Sequence, residues 1–283
     1  MRVLERDWMF GVYSALSRWF HANWMRVLLG LISIIAFVSI WQAYSSYLQT
    51  HSSSIADYVP PPGKVATAFF DSFVTRDPYT GLYMTEHIFS SLKRIFFGFV
   101  AAVAIALPAG LLMGSLRSAE ALGKPIVEMI RPIPPLAWIP AFMFIFGIVW
   151  GPVAIVFLGI FFPILFNVML GVKNVDPVLI DAARTLGAKR HHIFAKVVLP
   201  FTMPYFMTGV KVGLGIGWMC IVAAEMLGSV GGGVGYYIFA SANSAFRYDN
   251  MYAGMIVIGL LSVLTTGIAG IFEERLYRWM GMK

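Results

Sequence analysis

Long apolar stretches separated by shorter polar segments run through most of the chain. Six of these stretches are predicted as spans: residues 27–48, 95–116, 133–150, 152–171, 204–225 and 252–271. A helix needs about 20 predominantly apolar residues to cross the hydrocarbon layer of a membrane. The pattern therefore predicts an all-α membrane protein with six transmembrane helices.

Two segments outside the spans have distinct patterns. Residues 1–26 alternate charged and bulky apolar side chains at helical spacing, which predicts an amphipathic N-terminal helix lying on the membrane surface. The predicted organisation is thus an interfacial helix over 1–26 and a six-span domain over 27–283. Residues 49–87 contain the turn Pro60-Pro61-Pro62-Gly63 and are expected to form the largest loop outside the lipid.

The third and fourth predicted spans are separated only by Trp150-Gly151-Pro152. Glycine and proline favour turns, and tryptophan is common at the membrane surface. This tripeptide is therefore predicted to form the tight turn between the two spans.

Composition and charge agree with a membrane protein. Among the 283 residues, 59% are hydrophobic and only 12% are charged, whereas a soluble domain has about 25% charged residues. The net charge of +7 comes largely from the segments that would lie inside the cell if the N-terminus does. This asymmetry predicts cytoplasmic termini and a multi-pass protein, and it accounts for the charge without nucleic-acid binding.

The predicted inner loop 173–200 carries clear helix signals. Asp176-Pro177 is typical of a helix start, and Gly187 of a helix end. A second short helix is expected to follow and to end at Leu199-Pro200. Short amphipathic helices of this kind suit docking into a groove of another protein.

The same loop resembles a family signature. Asp181-Ala182-Ala183 is followed after three residues by Gly187, and after nine more by Val197-Val198-Leu199-Pro200. This spacing resembles the E-A-A-x3-G-x9-I-x-L-P signature of ABC importer permeases, with Asp in place of Glu at position 181 and Val in place of Ile at position 197.

The resemblance implies a fold, a mechanism and partners. The fold would be the MetI-like permease fold of type I ABC importers, and the loop would hold the coupling helix that docks on a cytoplasmic ATPase. The coupling residues would be Asp181, Ala182, Ala183, Arg184, Gly187, Ala188, Leu199 and Pro200. The chain would have no catalytic site and bind no cofactor or metal, with ATP and Mg²⁺ bound by the ATPase. Expected partners are a second permease copy, two ATPase subunits, an external substrate-binding protein and the lipid of the cell inner membrane.

Further segments resemble one subfamily. Residues 128–140, 208–218, 222–227 and 60–65 are similar to the corresponding parts of permeases for nitrate, taurine, alkanesulfonates and bicarbonate. The resemblance implies that the substrate is a small anion, moved by alternating access.

The stretch from Gly123 to Trp150, which includes the third predicted span, contains Pro132, Pro134, Pro135 and Pro140, and these cannot all lie in one continuous helix. A break is therefore expected, either beside the transport path or as a kink that only shapes packing.

Ionisable residues within spans are functional candidates by default. The candidates for the translocation path are Glu128, Arg131, Pro134, Pro135, Trp138, Lys211, Trp218 and Glu225, and Lys93 and Arg94 are further ionisable positions. The alternatives are that Glu128 and Arg131 pair structurally and that the lysines extend to the membrane surface.

Glycines mark two other features. Gly209, Gly213 and Gly217 recur every four residues and predict close approach of a neighbouring helix, while Gly228–Gly235 predicts a flexible outer connection. An ion-gradient-driven transporter or channel, and a membrane-embedded enzyme, remain alternatives to an ABC permease on the residues alone.

Overall fold

All regular elements of the described residues are helical. The computed structural model describes the backbone of residues 2–51 and 53–279 and the side chains of residues 24–51 and 55–278. The helices are α1 (Arg2–His51), α2 (Ser53–Ala56), α3 (Pro62–Val74), α4 (Met84–Ser115), α5 (Arg117–Ile130), α6 (Ile139–Lys173), α7 (Pro177–Thr185), α8 (Arg190–Ile193), α9 (Leu199–Leu227), α10 (Val234–Asn243) and α11 (Tyr248–Trp279). A 3₁₀ turn (Pro135–Trp138) precedes α6, and a π turn (Phe194–Val198) precedes α9. The predicted all-α class is confirmed.

Five helical stretches of the described residues are long and apolar enough to cross a membrane. They are Trp24–His51, Met84–Ser115, Pro135–Lys173, Arg190–Leu227 and Tyr248–Arg278. Four of them correspond to predicted spans, and the third and fourth predicted spans share the stretch Pro135–Lys173. The count of six crossings stays a prediction.

The stretch Pro135–Lys173 contains a chain reversal. Gly147 has φ of +72°, a conformation that glycine adopts most easily. A Cβ on Gly151 would lie 3.1 Å from Cα of Met143, although eight residues of a straight helix span about 12 Å. The turn predicted at Trp150-Gly151-Pro152 is therefore wrong by a few residues, because the chain already reverses at Gly147.

The arm of α6 that follows Gly147 packs parallel to α4. Gly98 faces Val156, Gly110 faces Val168 and Gly114 faces Val172, with the same sequence offset in all three pairs. Parallel neighbours require the intervening chain to return along the bundle.

Contacts at both ends trace this return. At the start of α5, Lys173 donates a 2.5 Å hydrogen bond to Glu120, which lowers the pKa of the Glu120 carboxyl. At the far end, the Phe97 ring lies 6.0 Å from the Trp150 ring. Residues 116–147 thus run back beside α4 and α6, which is the path that a further crossing would take.

The other side of α6 packs against α9 through glycines. A Cβ on Gly209 would lie 2.9 Å from Cα of Ile164, and one on Gly213 would lie 3.1 Å from the Ile160 side chain. Gly217 also meets Ile160, at 3.0 Å. The close approach predicted from Gly209, Gly213 and Gly217 is confirmed, and α6 is its partner.

Three predicted boundaries differ from the structure. α3 forms within the predicted loop 49–87, and α4 begins at Met84 rather than near residue 95. The predicted short helix ending at Leu199-Pro200 instead continues into α9. Leu199 N–H reaches Phe194 O across the π turn. This wider turn carries the helix into Pro200, which has no N–H to donate.

The chain divides into two compact units, residues 1–67 and 68–283. In the first, Ser45 Oγ donates a 2.8 Å hydrogen bond to Val59 O, which holds the chain after α2 against α1. The second unit contains α4 to α11. The interfacial face predicted for residues 1–26 depends mainly on side chains outside the described ones, so it stays a prediction.

The glycine face of α9 gives a test of this packing. We expect Gly209→Leu to destabilise the protein by about 1–3 kcal/mol or more, because the side chain would meet the α6 backbone. Gly215→Leu is the matched control, since nothing lies within 4 Å of a Cβ at Gly215. The measurement is the thermal unfolding midpoint in detergent, and equal midpoints for the two variants would contradict the packing.

Candidate coupling surface and buried polar cluster

The predicted helix of the inner loop is present as α7, with well-formed ends. At its start, the Asp176 side chain accepts a 2.8 Å hydrogen bond from Val178 N, and Pro177 occupies the first turn. At its end, Gly187 has φ of +77°. Gly187 N–H donates to Arg184 O and Ala188 N–H donates to Ala183 O, the pair of bonds of a Schellman cap.

The surface of α7 is unusually apolar for an exposed helix. None of its residues is buried, and Val178 is 70% and the adjoining Leu186 87% exposed. Asp181 and Arg184 form a 3.1 Å ion pair on the same exposed helix. Exposed apolar side chains beside charged groups are typical of a protein-docking surface. We call residues 176–188 the docking segment.

The docking segment is anchored to the bundle by a small apolar cluster. Val172, Val175 and Val198 are buried together, and Ile180 of α7 packs against them. Leu199 and Pro200, the remaining predicted coupling residues, are half-buried in the first turn of α9. A displacement of α7 would therefore act directly on α6 and α9.

A buried polar cluster lies at the opposite end of α9. Glu225 is fully buried and receives a 2.7 Å hydrogen bond from Arg94. Ser91 Oγ lies 2.9 Å from both carboxylate oxygens, and Gly235 N–H donates to the carboxylate at 3.0 Å. The structure thus joins two sequence candidates, Arg94 and Glu225, in one closed network.

The same face of α4 holds residues 228–233, which we call the glycine loop. Arg94 donates to the carbonyl oxygens of Val230 and Gly232, both at 2.8 Å. Ser90 donates to Gly231 O at 2.7 Å, and His87 Nδ1 lies 3.0 Å from Gly233 O. The flexible connection predicted for Gly228–Gly235 is therefore wrong, because hydrogen bonds from α4 hold it.

A glycine at position 233 is required sterically. A Cβ on Gly233 would lie 2.4 Å from the Glu225 carboxyl carbon, and φ of Gly233 is +146°. Gly233 thus permits close approach of the backbone to a charged side chain.

Two residues of the cluster, His87 and Ser91, escaped the sequence interpretation. With Ser90 and Arg94 they form an i, i+3, i+4, i+7 polar stripe, the signal of one helix face. This stripe directly precedes the second predicted span, residues 95–116.

Two further candidates tie α9 to α11. Lys211 Nζ lies 2.6 Å from Glu273, a residue that the sequence interpretation missed, and the Glu273 side chain is only 12% exposed. Buried Trp218 donates a 2.9 Å hydrogen bond to Thr265. The side chains of Lys211 and Trp218 therefore connect α9 to α11.

The predicted break in the proline-rich stretch is present, between α5 and the 3₁₀ turn. The Arg131 guanidinium lies 4.4 Å from the centroid of the Phe166 ring, and Glu128 lies 3.8 Å from Lys124. In the part of the chain that the structure describes, Glu128 and Arg131 therefore do not pair with each other, which was the structural alternative. Lys93, an exposed cation on α4, lies over the Phe89 ring.

Near the break, the side chains have mixed exposure. Pro134 is exposed, whereas Pro135 and Trp138 are half-buried. Trp138 Nε1 is buried and has no hydrogen-bond partner among the described residues. At the break, Arg131 is exposed, and Trp138 Nε1 is a hydrogen-bond donor without an acceptor among the described residues.

Comparison with known proteins identifies the family. Residues 106–281 match the family described as binding-protein-dependent transport system inner membrane component. The chain belongs to this family, the permeases of ABC importers. It is accordingly a multi-pass inner-membrane permease that works with an ATPase and a substrate-binding protein, rather than a catalytic subunit. The ion-gradient-driven transporter, the channel and the membrane enzyme are thereby set aside.

Relatives support the subfamily as well. A putative ABC transporter permease of Methanocaldococcus jannaschii is 45% identical over 211 residues, 72% of this chain and 78% of the relative. The taurine transport permease TauC of Escherichia coli is 30% identical over 271 residues, 95% and 96% of the two chains. A permease of Bacillus subtilis named for aliphatic sulfonates is 30% identical, over 91% of this chain and 88% of the relative. A nitrate import permease of Leptolyngbya laminosa is 35% identical, over 66% of this chain and 67% of the relative. A bicarbonate transport permease of Synechococcus elongatus is 30% identical, over 94% of this chain and 92% of the relative. The resemblance found in the sequence is confirmed.

A solved structure confirms the fold. The inward-facing MetNI methionine ABC transporter contains a chain that superimposes with a TM-score of 0.59 at 19% identity. The match covers 68% of this chain and 95% of that one. The MetI-like permease fold predicted from the coupling signature is therefore present.

The buried ion pair makes a second testable prediction. We expect Glu225→Ala to destabilise the protein by about 3 kcal/mol, because it leaves Arg94 without its carboxylate in a buried site. Glu128→Ala is the control, since its pair with Lys124 is more than half exposed and is worth less than about 1 kcal/mol. Thermal unfolding in detergent measures both, and a control as unstable as Glu225→Ala would contradict the role of the cluster.

Proposed function

We propose that this permease translocates a small anion of the taurine, nitrate or bicarbonate class, delivered by an external binding protein. The observation that carries the proposal is similarity over nearly the whole chain to relatives named for taurine and bicarbonate transport. The exposed guanidinium of Arg131 at the break supports an anionic substrate, because a cation beside a transport path lowers the cost of moving an anion.

In this proposal, the docking segment is the contact with the ATPase. In the part of the chain that the structure describes, its apolar side chains Val178, Leu179 and Leu186 stay exposed, and Ile180 connects α7 to the apolar cluster at the ends of α6 and α9. Two copies of the permease would present two docking segments to two ATPase subunits. ATP and Mg²⁺ would be bound by those subunits.

The orientation follows from charge. The α7 end of the bundle carries Lys173, Arg184, Lys189, Arg190 and Lys196, which favours a cytoplasmic position for this end. The Arg and Lys residues near the two ends of the sequence favour a cytoplasmic position for both termini in the same way. Closure of the ATPase pair would then draw the two docking segments together. This movement would open the permease outward, and ATP hydrolysis would return it inward.

The docking proposal predicts the effect of two substitutions. We expect Asp181→Arg and Gly187→Pro to weaken copurification of the ATPase encoded beside the permease by about tenfold or more, roughly 1.4 kcal/mol. The first reverses a charge on the exposed face, and the second cannot adopt the positive φ of the helix cap.

The control for docking is Asp57→Arg, an equal charge reversal at an exposed position outside the docking segment. Membrane insertion is measured in parallel and should be unchanged in all three variants. Normal ATPase copurification with both docking variants would count against the coupling assignment.

The substrate proposal predicts uptake that depends on Arg131. In cells expressing the complete transporter, we expect uptake of taurine, nitrate or bicarbonate to require the ATPase and the binding protein. Arg131→Gln should lower uptake several-fold without affecting complex assembly, whereas Arg117→Gln, at an exposed position on α5, should not. Uptake that survives loss of the ATPase, or is indifferent to Arg131→Gln, would contradict the proposal.

A further inference from the structure

A large apolar cavity lies between the docking segment and the end of α4. Its volume is about 1040 Å³, slightly above the usual range for small-molecule pockets. Its lining is mostly aliphatic and aromatic and includes Leu111, Leu112, Val172, Ile180, Ile193 and Phe194. A water-filled space with such walls is costly, so the lining favours an occupant with a hydrocarbon portion.

Basic side chains line the same cavity. Among the described residues of its wall, Arg184, Arg190 and His191 are basic and none is acidic. Asp181 lies outside the lining and pairs with Arg184. Arg190 takes part in none of the ion pairs found among the described side chains, so its charge is available to an anion.

The cavity lies where the helices leave the apolar layer. Leu111 and Leu112 belong to the last turns of α4, which ends two residues before Arg117, and Val172 directly precedes Lys173. Hydrocarbon walls below a cationic rim at this level match the cross-section of a lipid, whose chain lies deep and whose phosphate lies at the surface.

We propose that this cavity binds an acidic glycerophospholipid of the cytoplasmic leaflet. The acyl chain lies against Leu112 and Phe194, and the phosphate is bound by Arg190 with support from Arg184 and His191. A soluble anion would leave the apolar walls without contacts. The assignment to the cytoplasmic leaflet rests on the orientation given under the proposed function.

Such a lipid would connect two moving parts. Ile180 and Arg184 belong to α7, whereas Leu111 and Leu112 belong to α4. A lipid seated between them contacts both the docking segment and the bundle.

The test measures lipid bound to the purified permease–ATPase complex. The complex is exchanged into nanodiscs of phosphatidylcholine with or without phosphatidylglycerol, released into detergent, and its retained lipids are counted by native mass spectrometry. We expect a preference for phosphatidylglycerol that Arg190→Gln lowers about fivefold. Arg117→Gln removes the same charge outside the cavity and should keep the preference. Equal preference in these two variants overturns the proposal.

A second pair of variants tests the apolar part. Ser115→Phe adds a ring to the cavity wall and should lower the number of retained lipids, whereas Ser118→Phe, an exposed position on α5, should not. If Ser115→Phe retains as much phosphatidylglycerol as the wild-type protein, the acyl chain is not in the cavity and the proposal fails. Inorganic phosphate that displaces the lipid at millimolar concentration would show a simple anion site and would also overturn it.

Direct counting of lipid keeps this test separate from the transport proposal. A complex that retains phosphatidylglycerol through Arg190 but transports none of the three anions contradicts the substrate class alone. A wild-type complex that takes up one of these anions but shows no preference for phosphatidylglycerol contradicts the lipid site alone. Labelling of Ser118→Cys from outside intact cells would overturn the orientation and, with it, the cytoplasmic leaflet.

Discussion

Close packing of α6 between two helices that present small residues is the constraint on which the rest of the structure depends. Within lipid, apolar side chains gain little from leaving one hydrocarbon environment for another, so helix association depends on close contact. Val156, Ile160 and Val168 of α6 provide that contact against glycines of α4 and α9. Both neighbours are thereby aligned with one central helix, α4 parallel and α9 antiparallel to it.

The two ends of this packed core differ in character. At one end, the Glu225 and Arg94 pair joins α9, α4, α10 and the glycine loop through buried and partly buried hydrogen bonds. At the other, Ile180 of α7 packs against the apolar cluster of Val172, Val175 and Val198. Buried polar networks specify one geometry, whereas apolar attraction is non-directional. The opposite end is therefore fixed by directional hydrogen bonds, and the docking segment is attached to the core through apolar contact.

Sequence reasoning succeeded where the signal was local. The caps of α7 at Asp176 and Gly187, and the spacing of Gly209, Gly213 and Gly217, depend on residue types within one helix, and each is present as predicted. It failed where the decisive partner is distant. The glycine loop was predicted to be flexible because glycine alone suggests freedom, and only the fold brings Arg94 to its carbonyl groups. The turn was predicted at Trp150-Gly151-Pro152 rather than at Gly147, because a Gly-Pro pair is a strong local turn signal.

The irregular segments show where such a core can change shape. The break near Arg131 and the π turn before α9 both interrupt the regular hydrogen bonding of helices that contact the core. Bent or widened turns are less costly to rearrange than a continuous helix, because fewer bonds must be broken. In the proposed coupling, a pull on α7 would reach α9 through Val198, which lies within the π turn itself. The π turn is thus positioned between the proposed source of force and the rigid glycine contact, where a change of helix register alters α9 without separating it from α6.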